Sequence, residues 1–162
     1  MSRIVFCEKA GPRWTKLQLV LSVLLWATSA MAQSNLGELL DAGAKKLSVE
    51  EFKEEVVQRV IVGPTLSGGI LEVIYASNGV IQGLGSYGAA ANGSMNASIS
   101  GEWTIDDNGR ICTSMRIGNA GGASGGLLPT RCQFWFKYAE QYFLSDSDSD
   151  RRARVLSRTV KQ

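Results

Sequence analysis

The sequence predicts a mainly β protein of the α+β class, with about seven antiparallel strands in a small barrel or sandwich, one or two N-terminal helices and one disulfide bond. A change of pattern predicts this class. Before Thr65 the apolar residues recur at the helical period near 3.6, and after it they alternate at a period near two between closely spaced turn residues. Two cysteines, Cys112 and Cys132, lie in the alternating part.

The first 32 residues have the pattern of a cleavable signal peptide. Four basic residues precede the apolar run 19–27, and Ala30-Met31-Ala32 follows it in the small-residue pattern of a cleavage site. The run is shorter than the roughly 20 apolar residues that span a bilayer. We therefore expect cleavage after Ala32, a periplasmic or secreted location, and one mature domain at 33–162. An uncleaved membrane anchor is the alternative.

The mature domain is close to neutral. The whole chain has 17 Lys and Arg against 15 Asp and Glu. The leader holds four of the former and one of the latter, which leaves 13 against 14 and a net charge of −1. Nucleic-acid-binding domains usually carry a basic patch, so nucleic acid is disfavoured as a partner.

The two cysteines of the mature chain are expected to pair, because exported proteins reside where thiols oxidise. Closing a loop of about 20 residues would stabilise the fold by about 3 kcal/mol. Two unpaired thiols are the alternative. A structural zinc site is disfavoured because it needs four nitrogen or sulfur ligands.

Two helices are predicted between residues 36 and 62. Apolar residues at helical spacing begin at Leu36. Ser48-Val-Glu-Glu51 is a capping box that opens a second helix. Its apolar stripe runs to Val60, and Gly63-Pro64 ends it. We expect these helices to pack against one face of the sheet or to close one of its ends.

Strands are predicted between residues 65 and 160. Asn78-Gly79 between two apolar runs is the strongest local hairpin signal, and the turns at 106–109 and 138–140 indicate two more hairpins. The predicted hairpins join 70–75 to 80–84, 99–105 to 110–115, and 130–137 to 141–144. A last strand is expected from Ala153 to Val160. The segments 83–98 and 118–126 are rich in Gly, Ala, Ser and Asn and are predicted to be mobile loops.

The cysteine positions constrain strand pairing. If 110–117 paired in full with 130–137, Cys112 would lie opposite a residue near Trp135. The bridge then requires either that the first strand ends near Ser114 or that it joins strands that are not immediate neighbours.

The segment Gly101-Glu-Trp-Thr-Ile-Asp-Asp-Asn-Gly-Arg-Ile-Cys112, followed by Arg131-Cys132-Gln-Phe-Trp-Phe-Lys137 and Gln141-Tyr-Phe-Leu144, resembles small exported bacterial proteins grouped as domain-of-unknown-function family 995. The resemblance runs through most of the mature chain. It implies a bacterial source, an exported location and a compact β domain. No catalytic residues are established for the family, so none is carried over.

The chain contains no histidine, which excludes Ser-His-Asp and Cys-His catalysis and histidine-ligated metals. The match to G-x-S-x-G at 122–126 lacks a base, and the match to G-x-G-x-x-G at 83–88 lacks a βαβ unit. Both are interpreted as loops. Asp146, Asp148 and Asp150 alternate as in a calcium loop, but Arg151 replaces the glycine that an EF-hand requires. A solvated turn is therefore predicted, with a weak surface calcium site as the alternative. No catalytic residue, metal or cofactor is assigned.

Two groups of residues are candidates for binding. Trp103, Trp135 and Tyr138 are candidates for a ligand pocket or partner surface, and Trp135 alternates with Phe134 and Phe136. Either both faces of that strand are covered, or a ring lines an apolar pocket.

Arg152, Arg154 and Arg158 would share one face of an extended last strand and form an anion-contact face for an envelope polymer or lipid head group. A solvated edge that discourages aggregation is the alternative.

The leading functional hypothesis is an exported, non-enzymatic module that binds a ligand or a cell-envelope partner. One alternative is a glycan-acting enzyme that uses Glu102 with Asp106 or Asp107, because two carboxylates can hydrolyse glycosides without histidine. The other is a purely structural envelope protein.

Overall fold

The computed structural model describes residues 35–65, 68–86, 97–119 and 126–161. The chain divides into the units Met1–Ala32 and Gln33–Gln162, and every described residue belongs to the second. The predicted leader and the central parts of both Gly-rich loops lie outside the described residues. The elements are α1 (Leu36–Asp41), β1 (Lys45–Lys46), α2 (Val49–Glu55), β2 (Val60–Pro64), β3 (Ile70–Tyr75), β4 (Val80–Gly85), β5 (Ala97–Ile105), β6 (Ile111–Asn119), β7 (Gly126–Leu127), β8 (Arg131–Tyr138), β9 (Gln141–Ser145) and β10 (Val155–Val160).

Eight of these strands form a closed antiparallel barrel. From β2 to β6 and from β8 to β10 each strand pairs with the next along the chain, β6 pairs with β8, and β10 pairs back with β2. This is the up-and-down arrangement, whose closure leaves no free sheet edge among the barrel strands. The short strands β1 and β7 add to β8 and β6. The predicted mainly β class is confirmed, and the architecture is a barrel.

The three predicted hairpins are present as β3–β4, β5–β6 and β8–β9. In the first, Gly79 has a φ of 86°, a left-handed conformation that glycine adopts without steric penalty. In the third, Ala139 occupies the left-handed region with a φ of 50°. The last strand begins at Val155, two residues later than predicted.

The predicted second helix is too long. Helix α2 starts at the capping box, where the Ser48 hydroxyl accepts from the Glu51 amide and the Glu51 carboxylate accepts from the Ser48 amide. It ends at Glu55. Residues Val60–Pro64 form β2, which pairs with β3 over five residue pairs. The β-branched residues of this segment suit a strand, and cross-strand pairing overrides the helical spacing that the sequence alone suggested.

Both faces of strand β8 are covered. Trp135 points into the barrel and belongs to its interior core, whereas Phe134 and Phe136 point outward. The outward rings pack in a second cluster with Leu36 and Leu39 of α1. Helix α1 therefore shields the outer surface of β8 from water.

Helix α2 closes one end of the barrel with the ring of Phe52. This ring is 1% exposed and meets three interior rings edge-on. The centroid distances are 5.8 Å to Tyr75, 5.5 Å to Trp103 and 5.2 Å to Trp135. Edge-to-face aromatic pairs at this spacing stabilise a fold by more than the burial of their apolar surface alone.

The disulfide between Cys112 and Cys132 confirms the predicted bond and corrects the predicted register. Strand β6 runs to Asn119 and is an immediate neighbour of β8, so neither proposed alternative holds. The two strands pair over only three residue pairs, with Cys112 directly opposite Cys132. Barrel closure staggers strands against each other, so β6 and β8 overlap only where each begins.

Replacing Phe52 by alanine is expected to lower the free energy of unfolding by about 3–5 kcal/mol, because it empties the space between three interior rings. Denaturant titration followed by tryptophan fluorescence measures the change. The control is Lys53→Ala on the exposed side of the same helix, for which a change within about 0.5 kcal/mol is expected. Equal effects of the two substitutions would contradict the role of Phe52.

Replacing both bridged cysteines by alanine is expected to cost about 2–4 kcal/mol of unfolding free energy, because only three residue pairs otherwise hold β6 to β8. Urea titrations with and without reductant test this expectation. Reductant should weaken the wild-type protein and leave the double variant unchanged. A wild-type protein insensitive to reductant would contradict the prediction.

Candidate functional site

A cavity of about 400 Å³ lies inside the barrel, within the size range of small-molecule sites. Because successive side chains of a strand point to opposite faces, alternate residues of β3, β6, β8, β9 and β10 line it. Most of these are apolar, among them Leu71, Val73, Met115, Ile117, Leu144 and Leu156. The lining therefore suits an apolar ligand.

The two ends of the cavity differ. Tyr75 and Trp135 line it at the end that Phe52 closes. At the other end the lining includes Thr65, Ser86 and Leu128, which belong to connections after β2, after β4 and before β8. These three residues lie at the end of the barrel opposite the helix.

Two buried polar side chains break the apolar lining. Arg158 is 6% exposed, and its Nη1 donates to the carbonyl oxygens of Pro64 and Ser157, each at 2.8 Å. Loss of hydration lowers the pKa of Arg158, although a guanidinium stays protonated in proteins. Burial raises the pKa of Tyr75 to about 12, and the charge of Arg158 acts in the opposite direction. Tyr75 is therefore a neutral donor at physiological pH.

A hydrogen-bonded cluster ties helix α2 to the barrel. Glu55 Oε2 accepts from Lys137 Nζ at 2.6 Å and from the Tyr142 hydroxyl at 2.8 Å. The hydrogen bond from Lys137 lowers the pKa of Glu55 against the opposing effect of burial, with a further contribution from Tyr142. Burial, together with the bond to Glu55, raises the pKa of Tyr142 to about 12. This cluster holds the helix over the barrel end.

The three aromatic residues predicted to form a pocket or surface are not brought together. Trp135 lines the cavity. Trp103 packs beside Phe52, where its Nε1 donates to the Ala76 carbonyl oxygen at 2.9 Å. Tyr138 is 38% exposed and lines a separate depression near Glu55 and Lys137.

The predicted arginine face is not formed. Arg152 lies in the turn before β10 and is exposed, as is Arg154. Arg158 lies within the strand and points inward among the cavity-lining residues. The strand begins at Val155, so the assumed alternation does not extend back to Arg152. The three guanidinium groups therefore have different surroundings.

The carboxylates considered for glycan chemistry also lie apart. Glu102 is exposed in a shallow depression with Ser100, Ser114 and Leu127, which includes neither aspartate. Asp106 accepts from the backbone amides of Asn108 and Arg110 and from Arg110 Nε. The backbone hydrogen bond from Arg110 is the main cause that lowers the pKa of Asp106. Its oxygens stabilise the hairpin turn.

The acidic run has a separate partner for each carboxylate. Asp146 accepts from Gln133 at 2.8 Å, Asp148 pairs with Lys46 at 2.8 Å, and Asp150 accepts from the Arg152 amide at 2.9 Å. This arrangement is that of a solvated turn.

Among the described residues, Asp106, Cys112 and Cys132 place three possible ligand atoms within 4.8 Å of one another. The two sulfurs are joined in the disulfide, so neither is a thiolate. Of the two glycine motifs, Gly83 and Gly85 lie in β4, and residues 122–125 lie outside the described residues.

No family model matches this sequence, and comparisons with curated proteins and with solved structures find no match. The resemblance to family 995 stays a prediction. Within the described ranges, no helix is long and apolar enough to cross a membrane.

Tyr75 was missed as a candidate, and Arg158 was assigned to the wrong surroundings. The sequence carried a signal for both. Leu71, Val73 and Tyr75 alternate along one strand face, and Arg158 stands between Leu156 and Val160 on one face of β10. A single charge flanked by apolar residues at period two indicates an inward-facing position.

Glu55→Gln is expected to lower the unfolding free energy by about 1–2 kcal/mol at neutral pH, since a hydrogen-bonded, partly buried ion pair is lost. The pKa of Glu55 is lower in the folded protein, so its stabilisation is complete above the unfolded value of about 4.3. It disappears as the pH falls through the folded value. Denaturant titrations from pH 3 to pH 8 should show the difference from wild type vanishing at the acidic end.

The matched control is Glu54→Gln, an exposed neighbour without an ion pair among the described residues. It should have little effect at any pH. A difference between Glu55→Gln and wild type that stayed constant down to pH 3 would contradict the role of the carboxylate charge.

Proposed function

We propose that this chain is an exported, non-enzymatic binding protein that holds a small, largely apolar ligand inside its barrel. The observation that carries the proposal is the cavity of about 400 Å³. An eight-stranded barrel has an interior just wide enough either to be filled by side chains or to hold one small ligand. Here the interior is filled at the end under Phe52 and open along the rest.

The energetics favour an apolar ligand. A ligand that buried about 200 Å² of its apolar surface would gain about 5 kcal/mol from the hydrophobic effect. The lining adds dispersion contacts, while association opposes binding through lost translational freedom. A net gain of about 5 kcal/mol corresponds to a dissociation constant of about 0.2 mM.

Two observations support an exported location. Residues 1–32 have the charged, apolar and small-residue order of a signal peptide. The chain also holds a disulfide between β6 and β8, and such bonds persist mainly in oxidising compartments. The described positions of Glu102 and Asp106 give no specific support to a glycan-acting enzyme. A purely structural role would not require a cavity.

Filling the cavity is expected to weaken ligand binding. N-phenyl-1-naphthylamine, an uncharged probe that fluoresces in apolar surroundings, should bind the wild-type protein. Met115→Trp places a larger side chain in the cavity and should weaken binding at least about tenfold, since the site can no longer close around the probe.

The control is Ile74→Trp on β3, a residue that is 38% exposed on the outer barrel face. It adds the same ring outside the cavity and should leave the affinity unchanged. Circular dichroism verifies folding of both variants. Equal affinity of Met115→Trp and wild type would place the probe elsewhere and contradict the proposal.

A further inference from the structure

Within the described ranges, the guanidinium of Arg158 donates hydrogen bonds from one of its three nitrogens and none from the other two. Both N–H groups of Nη1 are used by the backbone oxygens of Pro64 and Ser157. Among the described residues, Nε and Nη2 have no hydrogen-bond acceptor. The Nε–H and one Nη2–H bond point the same way, which is the fork that binds two oxygens of one group.

Within the described ranges, the charge of Arg158 also lacks a partner. No carboxylate there forms an ion pair with it, and none of the acidic residues there lines the cavity. The cavity's second arginine, Arg131, is exposed and lies 4.0 Å from Asp146. Burying an unpaired cation is unfavourable, so a position that retains one is a candidate for recognising an anion.

Tyr75 presents a second donor to the same space. It is 5% exposed, and its hydroxyl has no hydrogen-bond partner in the described part of the chain. Every fully enclosed side-chain polar atom there does have a partner. The Tyr75 hydroxyl and the open edge of Arg158 therefore keep some accessible surface, and both residues line the cavity.

The side chain of Arg158 packs closely against Gly63. A methyl group at Gly63 would lie 2.5 Å from the Ser157 carbonyl oxygen, 2.7 Å from Arg158 Nη1 and 2.8 Å from its Cδ, closer than packed atoms come. Glycine on β2 therefore leaves room both for the backbone of β10 and for the guanidinium. Its position is fixed before any ligand binds, which lowers the entropic cost of recognition.

We propose that the ligand is an amphiphilic monocarboxylate whose carboxylate is bound by the Nε–Nη2 edge of Arg158 and by the Tyr75 hydroxyl, with its apolar body in the rest of the cavity. This inference rests on the proposed function. A carboxylate matches the planar fork and balances one cation. A dianionic phosphate would leave negative charge in an apolar space.

The test compares ligands with the same ten-carbon chain. Decanoate, decanol and decyl phosphate compete with N-phenyl-1-naphthylamine for the purified protein at pH 7.5, and calorimetry gives the affinities. Decanoate should bind about 10–100-fold tighter than decanol, as expected for charge-assisted hydrogen bonds. It should also bind more tightly than decyl phosphate.

Arg158→Met should remove the preference for decanoate over decanol, and circular dichroism verifies that the variant folds. Tyr75→Phe should reduce the preference by a smaller factor. If Arg158 had only a structural role through Pro64, Arg158→Met would lower stability without changing the preference, which would overturn the inference. Should Arg158→Met fail to fold, Arg158→Lys keeps the charge but loses the fork, and should weaken decanoate binding several-fold.

The outcomes separate the two proposals. Probe binding with equal affinities for decanoate and decanol would overturn the carboxylate assignment and leave the binding function standing. Tighter binding of decyl phosphate than of decanoate would overturn the carboxylate assignment in favour of a phosphate ligand. Failure of the wild-type protein to bind the probe or any ten-carbon ligand would overturn the binding function itself.

Discussion

Closure of the barrel depends on two short junctions, and the interior exists only because both hold. Strands β6 and β8 pair over three residue pairs, and the disulfide joins the middle one. Strands β10 and β2 pair over two residue pairs, and Arg158 spans this junction by donating from β10 to the carbonyl oxygen of Pro64. Longer hydrogen-bonded ladders join the remaining neighbours. A covalent bond outside the barrel and a guanidinium inside it thus reinforce the places where hydrogen bonds are few.

Side chains alternate between the two faces of each strand, and closure of the barrel makes one face the interior and the other the exterior. Inward residues form the core under Phe52 and the cavity beyond it, while outward residues of β8 and β9 pack beneath α1. The two helices therefore have different tasks. Helix α1 covers an outer face, and helix α2 occupies one end, fixed there by Glu55, Lys137 and Tyr142.

Much of the fold could be predicted because it follows from local pattern. The Asn-Gly turn, the capping box at Ser48 and the cysteine pair each specify structure through groups that are near in sequence or few in number. The extent of α2 could not be predicted, because the apolar residues of 56–62 fit both an amphipathic helix and a strand. Pairing of β2 with β3 and β10 decided between them. The candidate site was predictable in part. Trp103, Trp135 and Tyr138 were all predicted to form a pocket or partner surface, and only Trp135 lines the cavity.

The sequence by itself determined the class of fold, the hairpins and the disulfide partners, since turn chemistry and period-two alternation act over a few residues. Only the tertiary structure decided which face of each strand became interior. That choice placed Arg158 of β10 against Gly63 of β2 and in the lining of the same cavity as Tyr75 of β3. The physical reason is that alternation defines two faces of a strand, and closure of the ring selects the one that is enclosed.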